Sequence, residues 1–191
     1  MKTNWTIDPM HSEIQFKIRH LVISNVTGNF GKFDAGVETE NDDFQTAKIR
    51  FTMDANSIDT GNEQRDAHLK SADFFDAANH PKLTFQSTEV VTHGDNTFTL
   101  KGDLTIRGTT RLVELNVEFG GLMTDPYGNI KAGFEVTGKI NRRDYGLNWS
   151  AVTEAGGLVV SDEVRIVADV QFMKVIAEKE KLRETAEAQR N

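Results

Sequence analysis

The chain has 191 residues, 38% hydrophobic and 27% charged, with 29 acidic side chains against 22 basic for a net charge of −7, and no cysteine. The missing thiols exclude disulfides, thiolate nucleophiles, iron–sulfur clusters and cysteine-ligated zinc, and the negative balance without a basic stripe argues against a nucleic-acid partner. A chain of this length buries roughly two-thirds of its unfolded surface, and nowhere do about 18 apolar residues run together to cross a membrane as a helix.

Met1 to Asp8 carries no apolar leader segment, so the expected location is cytoplasmic for the chain as written and periplasmic if it is a mature form. Trp5–Ile7 reads as a first short strand. From Glu13 to His20, Ile14, Phe16 and Ile18 share one face with His20 at its end, while Glu13, Gln15, Lys17 and Arg19 share the other. Alternation with period two is the mark of a strand with one buried face. Val26–Phe30 is another such strand, and the period then points Ile49, Phe51 and Met53 inward.

Next comes a segment of different character. Thr60 and Glu63 have capping-box spacing, and Gln64 to Lys70 is free of Gly, Pro and β-branched residues, which predicts a short helix. Phe74 and Phe75 are too apolar to stay wet, so the insertion either folds down on the barrel mouth or flank or is a plain surface crossover.

Period two resumes at Leu83 and Phe85. It continues through Phe98, Leu100, Leu104 and Ile106, then Val113, Leu115, Val117 and Phe119, then Phe134, Val136 and Ile140, and last Val164, Ile166, Ala168, Val170 and Phe172. Turn chemistry separates the runs at His93–Asn96, Arg107–Thr110 and Asp125–Gly128. About eight or nine strands with short, antiparallel connections result. Their apolar faces are best buried together in a closed barrel, with a sandwich as the alternative. From Lys174 to Asn191 the composition turns to Ala, Glu, Lys, Gln and Arg, which predicts a charged helical tail (174–191) after a single domain (1–173).

The chemistry-bearing residues are sparse. The five histidines, His11, His20, His68, His80 and His93, have no metal-ligand spacing. Asp66 and His68 lie two apart on the predicted helix and face away from each other, and no Gly-x-Ser-x-Gly nucleophile or phosphate-cradling loop is present. His20 sits where an imidazole either orients a polar group of a ligand or is satisfied by a backbone carbonyl. In Arg142-Arg143-Asp144 an arginine pairs with Asp144 or with an anionic head group. Gly28, Gly102 and Gly138 fall at inward positions, which permits bends and leaves the interior emptier than Leu or Phe would. Twelve Phe against two Tyr suit an apolar tail better than a sugar or nucleotide.

Several longer motifs occur in order. They are Asp8-Pro9-Met10-His11-Ser12 with Phe16 and His20, Val26 to Phe30, Ser57 to Glu63 with Arg65-Asp66, His68 to Ser71 and Phe74-Phe75-Asp76, His80-Pro81, Gly102 to Thr110, and Asn141 to Leu147. Through them, over about residues 4–173, the chain resembles the YceI-like lipid-binding proteins. The resemblance implies an all-β, lipocalin-like, extended eight-stranded antiparallel barrel with a helical element at one side. It also implies an apolar interior holding a polyisoprenoid or similar long-chain lipid, no shared catalytic mechanism, and a homodimer as the favoured assembly; no cofactor is expected. Transport, storage or sequestration would be its work.

The expected ligand-binding residues are Phe16, Ile18, His20, Phe30, Phe51, Met53, Phe74 and Phe85. Leu100, Leu104, Phe134, Val136, Ile140, Trp149 and Ala168 complete the wall, and Arg143 serves the head group. No catalytic or metal-ligating residue is assigned. The competing reading is an enzyme acting on such a lipid, with His20, Asp66 or Arg143 as acid, base or phosphate clamp. A haem carrier with His20 as axial ligand is a third.

Overall fold

The computed structural model describes residues 1–94, 96–152, 154, 156 and 159–176. Its strands are β1 (Lys2–Ile7), β2 (Glu13–His20), β3 (Ser24–Phe30), β4 (Phe33–Glu40), β5 (Asp43–Asp54), β6 (Ile58–Asp59), β7 (Lys82–Gly94), β8 (Thr97–Ile106), β9 (Thr109–Thr124), β10 (Ile130–Asn141) and β11 (Val160–Lys174). The helix α1 (Glu63–Lys70) stands between β6 and β7.

Eight strands close a barrel in the order β1-β4-β5-β7-β8-β9-β10-β11, with β11 returning to β1. All of these pairings are antiparallel. The remaining three strands prolong three staves past a break. On β11, Phe172 faces Ile7 of β1 while Asp169 faces Glu13 of β2, so β1 and β2 lie end to end along one partner. The break holds a 3-10 turn, Pro9–His11, capped by Asp8, whose carboxylate accepts from the Met10 N–H. In the same way β3 continues β4, and β6 continues β5, for β3 pairs with both β2 and β6. This is the extended barrel, and it has a gap between β6 and β7 that α1 and the segment after it must cover.

β4 carries no strong sequence signal because its inward residues, Ala35, Val37 and Thr39, are small or polar. Thr39 is nonetheless fully buried, where its hydroxyl accepts from Trp5 Nε1 at 3.1 Å. Burial of an indole is worth about 4–6 kcal/mol in transfer free energy when its N–H finds such a partner. That contact ties the first strand of the chain to the fourth.

The strand glycines do not leave the interior empty. A Cβ at Gly28 would overlap the Phe16 ring, one at Gly102 the Phe85 ring, and one at Gly138 the Leu115 side chain. Each glycine gives its space to a large side chain of the next strand, which corrects the expectation of a void there.

The helix begins two residues later than a Thr60 cap would place it. Asn62 is the N-cap, its side chain accepting from the Arg65 N–H, while Thr60 N and Oγ1 both donate to Asp66 Oδ1. After α1 the chain turns back sharply, with Phe75 N donating to Leu69 O and Ala77 N to Lys70 O. Phe74 is thereby pressed inward and buried, which settles the insertion as a cover over the barrel.

The predicted tail starts too early. Lys174 is the last residue of β11, opposite Trp5, with its ammonium on Asp42, and Val175 N donates to Asn4 O. The rest of the predicted helix, from residue 177 on, lies outside the described residues.

Candidate functional site

Inward side chains leave two adjoining cavities. The smaller, about 170 Å³, lies among β4, β5 and β7–β11 and is walled only by hydrocarbon side chains and the Met53 thioether. The larger, about 490 Å³, lies where the barrel is prolonged, between the β2–β3 pair, α1 and the loop that leads into β11. Ile14, Met53, Leu104 and Ile166 line both, so the two chambers adjoin at these four side chains.

The structure places the predicted residues as follows. Phe51, Phe85, Leu100, Phe134, Val136 and Ala168 line the smaller chamber. Phe16, Ile18, His20, Phe30, Phe74, Ile140 and Trp149 line the larger, and Met53 and Leu104 line both. Arg143 lines neither. It projects outward, with Nε 2.7 Å from Asp162 Oδ1. The partner expected of this arginine pair, Asp144, is not the one used: Asp162 takes both Arg142 and Arg143.

Arg142 is the arginine that reaches the interior. It is 2% exposed and lines the larger chamber. Its guanidinium donates to the carbonyls of Leu147 (2.6 Å), Trp149 (2.7 Å), Ser161 (2.9 Å) and Val160 (3.5 Å). Burial draws its pKa below the ordinary arginine value, while Asp162 opposes the shift. These bonds tie Leu147, Trp149, Val160 and Ser161 together beside the cavity and use up the donors, so Arg142 builds the wall rather than gripping a ligand. Sequence reasoning missed it because adjacent residues on a turn carry no parity signal.

Polar groups also line the larger chamber: Gln64, Arg65 and His68 from α1, its cap Asn62, and Gln15 and His20 from β2. Arg65 Nε and Nη2 rest on Thr60 Oγ1 and O, both at 2.7 Å. The His68 ring packs edge-on to Trp149 and Phe74, and its Nε2 lies 2.8 Å from Asp73 Oδ2. Asp66 is committed to Thr60, so Asp66 and His68 are not coupled. Among the described residues no three His, Asp or Glu side chains gather as a metal site. Chemically the interior can enclose a long hydrocarbon and meet a polar end group at the α1 rim.

A YceI-like domain model matches residues 5–172. The chain belongs to the YceI-like family. It is similar to a UPF0312 protein of Staphylococcus aureus strain N315, 41% identical over 171 residues that cover 89% of this chain and 97% of that one. Among solved structures it is similar to the YceI protein of Campylobacter jejuni, 30% identical with a TM-score of 0.71 over 83% of this chain and 90% of that one. A polyisoprenoid-binding domain of Saccharophagus degradans, 18% identical, shares the fold with a TM-score of 0.62 over 88% of this chain and 97% of that one.

Proposed function

We propose that this YceI-like protein is a non-catalytic binding protein that encloses a polyisoprenoid or similar long-chain amphiphile for carriage, storage or sequestration. The observation that carries the reading is the pair of chambers: a purely apolar one and a larger one with polar lining groups adjoin at Ile14, Met53, Leu104 and Ile166. The larger chamber falls in the ~300–1,000 Å³ range of pockets that enclose small organic ligands. A slender tail passes between these four side chains into the hydrocarbon chamber, and the end group stays among the polar side chains of α1 and its cap, Asn62 and Gln64. Membership of the family and the fold shared with a domain described as polyisoprenoid-binding support the same reading.

The test is extraction of the purified protein with organic solvent and mass spectrometry of the extract, followed by titration of delipidated protein with prenols of graded length. A long-chain isoprenoid in the extract and saturable binding that strengthens with chain length are expected. Delipidated, folded protein that takes up no such chain would overturn the reading.

A further inference from the structure

Leu21, Val22 and Ile23 form the tip of the β2–β3 hairpin and are 40%, 73% and 82% exposed. Three consecutive apolar side chains in water are an error in a folded protein unless they meet something. Their backbone is also unusual: Leu21 and Val22 have φ of 51° and 66°. A β-branched residue in the left-handed region is a true outlier, and such strain persists where function requires it. Arg19 Nη1 donates to Val22 O at 3.2 Å, and Leu21 N donates to Val159 O at 2.9 Å, which fix the tip in this pose. Val152, 64% exposed, lies beside it, since Val159 N donates to Ala151 O.

The tip stands on the rim of the larger cavity. His20 and Val26, on either side of it, and Val159 beneath it all line that chamber.

Charge is sorted on the outer face of the same sheet. Lys139, Arg165 and Lys17 are directly opposite one another across β10, β11 and β2, a cationic row assembled from three strands and therefore invisible as a run in the sequence. Arg19 continues it toward the tip. Four residues further from the tip, Glu118, Glu135, Asp169 and Glu13 form an acidic row in register across β9, β10, β11 and β2. Like charges directly opposite oppose sheet formation, and here the cationic row lies nearer the cavity mouth than the acidic row does. The acids nearest the cationic row are engaged, Asp162 by Arg142 and Arg143, Glu163 by Lys139. Among the described residues Lys17 and Arg165 have no ion-pair partner.

We propose that this end of the barrel docks on an anionic lipid bilayer, Leu21–Ile23 entering the head-group layer while Arg19, Lys17 and Arg165 meet the phosphates. At about 3.3 Å per residue, Lys17 lies roughly 13 Å behind the tip, within side-chain reach of that layer. The choice of a bilayer rests on the lipid-carrier reading, because an insoluble chain must be taken from a membrane and the tip borders the mouth that would receive it. Charge complementarity specifies the surface as anionic.

The experiment is sedimentation of the full chain with vesicles of phosphatidylcholine alone or with equal parts of phosphatidylglycerol. It reads docking whether or not the cavity holds a lipid, so its failure and that of the carrier reading are distinguishable. The protein is expected to sediment with the anionic vesicles and to be released by salt. Val22→Asn with Ile23→Ser should weaken this about tenfold or more, without loss of thermal stability, because Asn tolerates the left-handed backbone. Ile23→Ser alone, at a position of ordinary φ, repeats the test should the double variant fold poorly. Lys17→Gln with Arg165→Gln should cost a further tenfold or so on anionic vesicles only. Failure of the unmodified protein to sediment, or full binding by the tip variants, overturns the proposal. So does a dimer, in the absence of vesicles, that the tip variants dissolve, which would assign the tip to a second copy of the chain.

Discussion

The ring of Phe16 lies across Gly28 of the neighbouring strand, in the space that a side chain at position 28 would occupy. A methyl group there must displace the ring tip, and the ring borders the larger chamber, so it has somewhere to go. Gly102 is different: its Cβ would meet the Phe85 ring and also the Gln86 backbone carbonyl, which cannot swing aside. Gly102→Ala should therefore destabilise by about 1–3 kcal/mol, and Gly28→Ala by less while reducing lipid uptake. Urea unfolding of the delipidated variants beside their extracted lipid content checks both. Equal destabilisation with equal lipid content would contradict the assignment of Phe16 to the cavity wall.

The two adjacent arginines should behave very differently. Arg142→Leu strips four buried or half-buried carbonyls of their donor and should cost about 3–5 kcal/mol. Arg143→Ala removes one exposed ion pair with Asp162, for which a change within about 1 kcal/mol is expected. Chemical denaturation of the pair decides it. Comparable losses would mean that the loop does not depend on Arg142.

This pair also marks how far the sequence could be read. Period-two parity depends on backbone geometry alone, so it assigned the inward faces of β2, β5 and β7–β11 residue by residue, and with them most of the cavity wall. It failed where inward side chains are weakly apolar, as along Ala35, Val37 and Thr39, and so it missed β4 and the Val37 and Phe44 side of the smaller chamber. It also could not choose between Arg142 and Arg143, because a 3-10 turn rotates neighbouring residues by neither 180° nor 100°. Thr60 satisfied the capping pattern, yet Asn62 took the position, and Thr60 instead ties Asp66 and Arg65 together. The end-to-end arrangement of β1 and β2 along β11 rests on contacts more than 150 residues apart, such as Ser12 Oγ with Gln171. No local pattern encodes a register at that separation.

Asp8 links the two halves of that broken stave to the rest of the barrel. Its carboxylate accepts from Lys131 Nζ at 2.7 Å and lies 2.9 Å from His11 Nδ1. Burial alone would raise its pKa, but the hydrogen bonds from Lys131 and His11 overcome this and hold it below the usual aspartate value. A carboxyl whose folded pKa is depressed contributes stability above its unfolded pKa of about 3.9 and loses it as pH falls through the lower, folded value. Asp8→Asn should accordingly lower stability at neutral pH, and the difference from the unmodified protein should shrink below about pH 4. Thermal melts from pH 7 to pH 3 measure this. A difference independent of pH would show that the ionised carboxylate is not what matters.

Ala168 tests whether the smaller chamber is space or merely loose core. It is 6% exposed, sits opposite Ile14 on β2 and Val136 on β10, and lines the chamber with both. It has no special backbone conformation to lose. In a filled core, Ala168→Phe would overpack and destabilise by roughly 1–3 kcal/mol. In a chamber of about 170 Å³ walled by hydrocarbon, the new ring instead gains contacts that the empty space lacked. It also occupies the place where the end of a long tail would lie. The expected outcome is a melting temperature of the delipidated variant equal to or above that of the unmodified protein. Uptake of long prenols should fall, while that of short ones, held in the larger chamber, changes little. A clear drop in apo stability with uptake unchanged at every chain length would mean that no ligand reaches past Met53 and Leu104.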